Sequence, residues 1–168
     1  MDTIAITPAR EQDAAHILGL QRAAYRLEAV RYDDHGLPPL TQTLDALLAE
    51  FVTHTILVAR RSTGIAAGPA DPIVGSVRAR VDAGTAHIGR LAVTPGLHGR
   101  GIGRRLLWGI ERAVAPVERY ELFTGHRSDR NIRMYARAGY RRVRTEAQSE
   151  RVSLVFMEKP APRPSPAL

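Results

Sequence analysis

The stretch from Gly96 to Gly103 holds four glycines in eight residues, and its last six read His98-Gly99-Arg100-Gly101-Ile102-Gly103. Glycines at 99, 101 and 103 let a backbone approach a ligand with no Cβ atoms in the way. Just before them, Ile88 to Val93 is short, apolar-rich and stopped by Pro95, the signs of a buried strand. Just after them, Leu106, Leu107, Ile110, Ala113 and Val114 recur at helical spacing and make one apolar stripe to face a sheet. Strand, glycine loop and helix aim several unpaired backbone N–H groups and the positive end of a helix dipole at one spot. A phosphate or pyrophosphate suits such a cradle. Spacing removes two common holders of that group, because a dinucleotide fold needs G-x-G-x-x-G after an early strand and a P-loop needs G-K-[ST]. Here Arg104 and Arg105 follow Gly103, past the middle of the chain.

The elements that must hold this loop are read from composition and periodicity. At 168 residues, one domain with a sizeable core is expected, over residues 1–159. The formal net charge is +7, yet 23 of the 24 basic residues are arginine and they are dispersed along the chain. That pattern reads as compositional bias more than as a nucleic-acid footprint. A nucleic-acid-binding protein stays open as an alternative on charge alone; it needs exposed aromatics among the basic residues. There is no cysteine, hence no disulfide frame, thiol nucleophile or thiolate metal site. No apolar run approaches a membrane span and no signal-peptide pattern opens the chain. The expectation is a soluble cytoplasmic protein.

In chain order, Ile4 to Thr7 is a short alternating strand ended by Pro8. A helix follows with Asp13 in its first turn and Ala14, Ile17, Leu18, Gln21, Ala24, Tyr25 and Glu28 on one face. That face turns polar toward Glu28, so these side chains either border a cleft or reach the surface. Residues 31–43, with Asp33, Asp34, His35 and Pro38-Pro39, read as a connection and not a helix. The acids and histidine there look more like a solvated loop than a metal site. Leu44, Leu47, Leu48 and Phe51 mark a second helix, and strands follow at Thr55 to Arg60 and Ile73 to Val81. A Gly/Ala/Pro-rich loop from Ser62 to Pro72 joins those strands, and Asp82 to Gly84 turns into the central strand. After Pro116, a strand at Arg119 to Thr124 precedes a helix with Ser128 as N-cap and Gly139 as its stop. Ile132, Tyr135, Ala136 and Ala138 face inward on it. Strands at Arg141 to Thr145 and Val152 to Met157 follow, and Pro160 to Leu168 is expected to be a loose tail. The class is α+β with a mixed sheet.

Two segments in this order resemble the GNAT superfamily of N-acetyltransferases. The family's acetyl-CoA loop reads [QR]-x-x-G-x-[GA], and His98 to Gly103 follows it except that His98 stands where Gln or Arg is preferred. The family's later signature, S/N-x-x-N-x-x-x-Y-x-x-x-G-[YF], agrees at Ser128, Asn131, Tyr135, Gly139 and Tyr140. The resemblance implies a central, mostly antiparallel twisted sheet of roughly six to seven strands flanked by about four helices. It implies acetyl-CoA as co-substrate, no metal, and direct transfer to a primary amine of a small molecule or peptide. The backbone of Leu91, Ala92 and Val93 would bind the pantetheine arm as an added strand, if the neighbouring strand splays away. Pro95 favours such a gap by lacking an N–H. His98, Gly99, Arg100, Gly101, Ile102, Gly103 and Arg104 would hold the pyrophosphate, and Asn131 the arm or its phosphates. Tyr135 is placed by the resemblance to protonate the sulfur, or else it anchors its helix. His87 takes the place of the family's base, with Glu28 and Glu121 as rivals. Tyr25 and Glu28 would line the acceptor side. No nucleic acid or membrane partner is expected, and dimers are common among similar proteins, so a homodimer is one expected assembly. A regulatory module that binds acyl-CoA without transfer is the alternative within the same fold.

Overall fold

The computed structural model of the chain describes residues 2–62, 64 and 68–163. Its seven strands are β1 (Thr3–Pro8), β2 (Thr55–Ser62), β3 (Ile73–Asp82), β4 (Thr85–Val93), β5 (Arg119–Gly125), β6 (Arg141–Ala147) and β7 (Ser153–Pro160). They form one sheet in the order β1-β2-β3-β4-β5-β7-β6. Every neighbouring pair is antiparallel except β4 with β5. The helices are α1 (Ala14–Tyr32), entered through a 3-10 turn at Glu11–Asp13, then α2 (Pro38–Thr41), α3 (Leu44–Thr53), α4 (Ile102–Ala113) and α5 (Asp129–Arg137). The expected α+β class and mostly antiparallel sheet are present, with five helices instead of about four.

One parallel pair fixes the architecture. Parallel strands cannot be joined by a tight turn, so α4 is the crossover from β4 to β5. Its apolar stripe, Ile102, Leu106, Leu107 and Ile110, is buried against Ala86 and Ile88 of β4, Leu122 of β5 and Met157 of β7. Replacing one such leucine by alanine costs about 2–5 kcal/mol, so this face is what fixes the loop ahead of α4. Gly75 permits the close approach, since a Cβ there would lie 2.8 Å from Leu106 Cδ1. On the other face, Ala14, Ile17 and Leu18 of α1 meet Leu47 of α3 and Ile56 and Val58 of β2 in a second core. The far end of α1 packs through Ala29 and Tyr32 on Leu37 and Val152.

Four sequence expectations change. Residues 31–43 are not all connection: α1 runs on to Tyr32 and α2 forms at Pro38–Thr41. Prolines suit a first helical turn, where their missing N–H would have had no partner. Asp33 ends α1 at φ 48 and pairs with Arg151 at 2.7 Å, while Asp34 accepts the Gly36 N–H at 3.0 Å. These acids shape a helix-ending loop. Ser128 stands at the N-cap position of α5, but its hydroxyl does not cap the helix, and Ala136 is exposed. Finally, β7 extends to Pro160, which pairs with Arg119. The last part of the expected tail, 164–168, and positions 63 and 65–67 of the Ser62 to Pro72 loop lie outside the described residues.

Candidate active site

β4 and β5 pair at three rungs: Thr85 with Arg119, Ala86 with Tyr120 and His87 with Glu121. Beyond them β4 continues along β3 to Val93, whereas Leu122 to Gly125 of β5 pair with β7. The strands separate, and the β4 edge from Ile88 onward has no strand partner on the β5 side. The sequence reading tied this gap to Pro95, but the separation starts well before it. A bulge follows directly after the parting. Arg78 opposes Gly89 and Ser76 opposes Ala92, so Arg90 and Leu91 together face Val77. Arg90 carries a φ of 53, a conformation that costs a non-glycine residue roughly 1–2 kcal/mol. A bulge bends its strand and sharpens the twist, and the second half of β4 runs on without β5 beside it. Backbone groups left unpaired in this way are ready to take an extended ligand as an added strand.

The loop beyond Val93 supplies the anion cradle. Gly96, Gly99 and Gly101 have φ of 89, 78 and 78, and a Cβ on any of them would meet nothing within 4 Å. The backbone there is open on its ligand side and shaped for glycine. Gly101 is the N-cap of α4, no side chain caps that end, and the first helical bond closes from Arg105 N–H to Gly101 O at 3.0 Å. The N–H groups of the turn before it have no carbonyl four residues back. Ile102 is an anchor instead, buried in the main core. Gly103 draws the pieces together, since a Cβ there would lie 3.4 Å from Met134 Sδ of α5 and 3.8 Å from Val93 Cγ2. Arg100 is exposed on the loop, and Arg104 lies over the Trp108 ring, 5.0 Å from its centroid. Burial, and next the charge of Arg130, hold the His98 imidazole below its ordinary range. His98 therefore starts out neutral at pH 7. Open glycines, free donors and a helix N-terminus fit a pyrophosphate.

Tyr135 is buried on α5 with its ring edge-on to Tyr140 at 6.0 Å. Burial, and after it Tyr25 and Glu28, push its hydroxyl well above the ordinary tyrosine range. Burial also raises half-buried Tyr25, opposed by the charges of Arg90 and Arg78. Tyr135, Tyr25, Glu28 and Arg90 thus share one electrostatic neighbourhood. The end of α1 is locked onto it. The Tyr32 hydroxyl accepts the Arg127 N–H at 2.8 Å, in space a Cβ at Gly125 would occupy. Ser128 Oγ donates to Glu28 Oε2 at 2.7 Å, and Arg31 pairs with Glu28 Oε1 at 2.8 Å. Glu28 is therefore already met by a cation and a hydroxyl, and it struts α1 against α5. Asn131 Nδ2 donates to Thr124 Oγ1 at 3.4 Å, beside the end of β5.

Two residues weighed as rival bases are neighbours. His87 Nδ1 lies 3.4 Å from Glu121 Oε1 at the last paired rung, and Arg144 meets the other Glu121 oxygen at 3.3 Å. Gln21, by contrast, is buried and structural. It donates to Pro39 O at 2.8 Å and accepts from Arg78 at 3.2 Å. Arg78 also lies 2.5 Å from Glu50, an ion pair without hydrogen-bond alignment. Burial lowers the Arg78 pKa to about 10, with Glu50 opposing the drop, so it stays charged at neutral pH. Sequence reasoning missed the Arg90 bulge, because only a register count against β3 reveals it.

Known proteins place the chain by sequence pattern and by fold. The sequence pattern of the family described as an acetyltransferase (GNAT) domain matches residues 25–161. Among curated proteins no match is found. Solved structures agree in fold. PaiA N-acetyltransferase from Thermoplasma acidophilum, in complex with coenzyme A, is 17% identical with a TM-score of 0.71, covering 94% of this chain and 99% of that one. The ribosomal-protein-S18-alanine N-acetyltransferase from Escherichia coli is 14% identical with a TM-score of 0.72, covering 99% of both. YncA from Salmonella typhimurium, with its cofactor acetyl-CoA, is 17% identical with a TM-score of 0.71, covering 98% of both. The family's pattern begins on α1, ends just past β7 and takes in the strand gap, the glycine loop and Tyr135: the chain belongs to the GNAT acetyltransferase family.

Proposed function

We propose that this chain is an acetyl-CoA-dependent N-acetyltransferase that acts by direct transfer on a primary amine of a small molecule or peptide. The observation that carries the reading is the parting of β4 from β5 after His87 and Glu121, directly ahead of an uncapped helix start and its open glycines. Acetyl-CoA, when bound, supplies an acetyl group on a thioester. The net reaction forms an N–C bond, breaks a C–S bond and moves one proton from nitrogen to sulfur.

The residues divide that work. The β4 backbone at Leu91, Ala92 and Val93 binds the amide-bearing arm along the free edge. The loop from His98 to Gly103, with Arg100 and Arg104 beside it, takes the pyrophosphate on main-chain donors at the α4 N-terminus. Asn131 closes the cleft from α5. Tyr135 holds its proton across neutral pH, because burial and then Tyr25 and Glu28 disfavour the phenolate; it would give that proton to the departing sulfur and regain one from solvent, to which His87 releases the proton of the amine. His87, with Glu121 beside its Nδ1, accepts the proton from the amine at its other ring nitrogen or through water. Tyr25 and the α1 end near Glu28 line the acceptor side.

The test is incubation with isotopically labelled acetyl-CoA and a panel of amines, read by mass spectrometry. The reading requires labelled amide and free CoA in equal amounts for at least one amine. Tight acetyl-CoA binding with no acetylated product from any amine would favour the regulatory-module alternative instead.

A further inference from the structure

Arg90 is the residue of this neighbourhood that the mechanism leaves unused. It sits at the bulge where β4 leaves β5. Among the described strand residues it is the one non-glycine with a left-handed φ, Asp33 and Ala83 both lying in turns. Its Nε is buried with no hydrogen-bond partner. Other cations drawn into the interior are matched: Arg60 by Asp13 at 2.7 Å, Arg78 by Glu50 at 2.5 Å and Lys159 by Glu111 at 3.0 Å. Among the described residues, no ion pair involves Arg90. The carboxylates of the surrounding elements are engaged elsewhere. Glu28 is held by Arg31 and Ser128, Glu50 by Arg78 and Gln42, and Glu121 by His87 and Arg144. α1 packs against β4, and the charge of Arg90 is felt at the Tyr25 hydroxyl of that helix.

We propose that Arg90 recognises a carboxylate on the acceptor, so that the amine acetylated is an amino acid or a close amino-acid analogue. The assignment rests on the transfer reading above. A cation partly withdrawn from water without a counter-charge is unfavourable until an anion arrives. A guanidinium offers a planar fork that matches a carboxylate in bidentate fashion. A strained backbone that persists beside a cleft is most simply explained by what its side chain does there. The sequence placed the acid Glu28 on the acceptor side. Glu28 is already paired with Arg31, and the charge left without a partner at the bulge is positive.

The experiment measures acetylation of the common L-amino acids, their α-carboxamides and the matching decarboxylated amines by wild type, Arg90→Gln and Arg90→Lys. Wild type should prefer acids to their carboxamides by about a hundredfold in kcat/KM, the scale of loss when one partner of a buried charge pair is removed. R90Q should abolish that preference by lowering the acids alone, and R90K should restore part of it. Equal turnover of acids and carboxamides by wild type overturns the assignment, and so does a preference that survives in R90Q. Wild-type discrimination needs no variant, so a variant that fails to fold leaves the test intact. Product from no amine at all refutes the transfer reading, and a binding arm then decides Arg90. With CoA saturating, some amino acid should raise the melting temperature of wild type and not of R90Q. No shift from any acid, or an equal shift in both proteins, overturns it.

Discussion

Replacing Gly101 by valine separates backbone strain from ligand contact. Gly101 has a φ of 78 and caps α4, and a Cβ there would meet no atom of the chain within 4 Å. Within the free protein the cost is therefore conformational, roughly 1–2 kcal/mol for a side chain held left-handed. For a domain of this length, that lowers Tm by about 2–8 °C. The open space is where the pyrophosphate is proposed to sit, so the branched side chain should also weaken CoA binding by about tenfold or more, or 1.4 kcal/mol. Gly139 is the control. Its φ is 100, and a Cβ there lies 3.5 Å from the flexible Lys159 side chain, at the far end of α5. Gly139→Val should lose comparable stability and keep its CoA affinity. Calorimetric titration and thermal melts on both variants suffice. If both lose affinity equally, the effect is strain passed through the fold, and if neither does, the loop is not the cofactor site.

Tyr135→Phe keeps the ring packed on Tyr140 and deletes the hydroxyl; turnover should fall about 10²-fold with CoA affinity unchanged, and full turnover would make Tyr135 a packing residue only. His98 starts below its ordinary range, so an arriving pyrophosphate should raise its pKa, and binding near pH 6.5 should take up a proton that His98→Gln does not. Calorimetry in buffers of different ionisation enthalpy measures that difference, and equal uptake by both proteins would remove His98 from the phosphate contact. Burial alone would raise Asp13, but the Arg10 N–H and Arg60 hold it below 3.8. A depressed carboxylate stabilises above its unfolded value and loses that contribution as pH falls through the lower folded one. Asp13→Asn should thus cost about 3 kcal/mol at pH 7, a gap that closes as pH drops below 3.8. Denaturant melts showing a pH-independent gap would contradict the pairing.

Much of this fold is legible in the chain because its signals are local. Pro95, Gly101 and the Leu106–Leu107–Ile110 stripe mark the end of one element and the start of another within a few residues. Tyr135 and Asn131 came from a second spaced pattern. What stayed hidden depends on distant partners. Ser128 looked like a helix cap because the local pattern is a capping pattern, yet its hydroxyl is drawn to Glu28 on α1. Gln21 looked like part of a cleft wall because it is polar among apolar neighbours, and its partners Pro39 and Arg78 lie far along the chain. The bulge at Arg90 is invisible without the register of β3. A charge such as Glu28 announces that it needs a counter-charge, but not that Arg31 already provides it.

Amide hydrogen exchange with and without acetyl-CoA tests the central claim most directly, because it reads the backbone N–H groups assigned to the ligand. The account predicts slowed exchange at Leu91 to Val93 on the free β4 edge and at Gly99 to Arg104 at the start of α4, with β1 unchanged. Saturating acetyl-CoA that leaves both segments unprotected, or that protects only surfaces away from the β4–β5 gap, would contradict it.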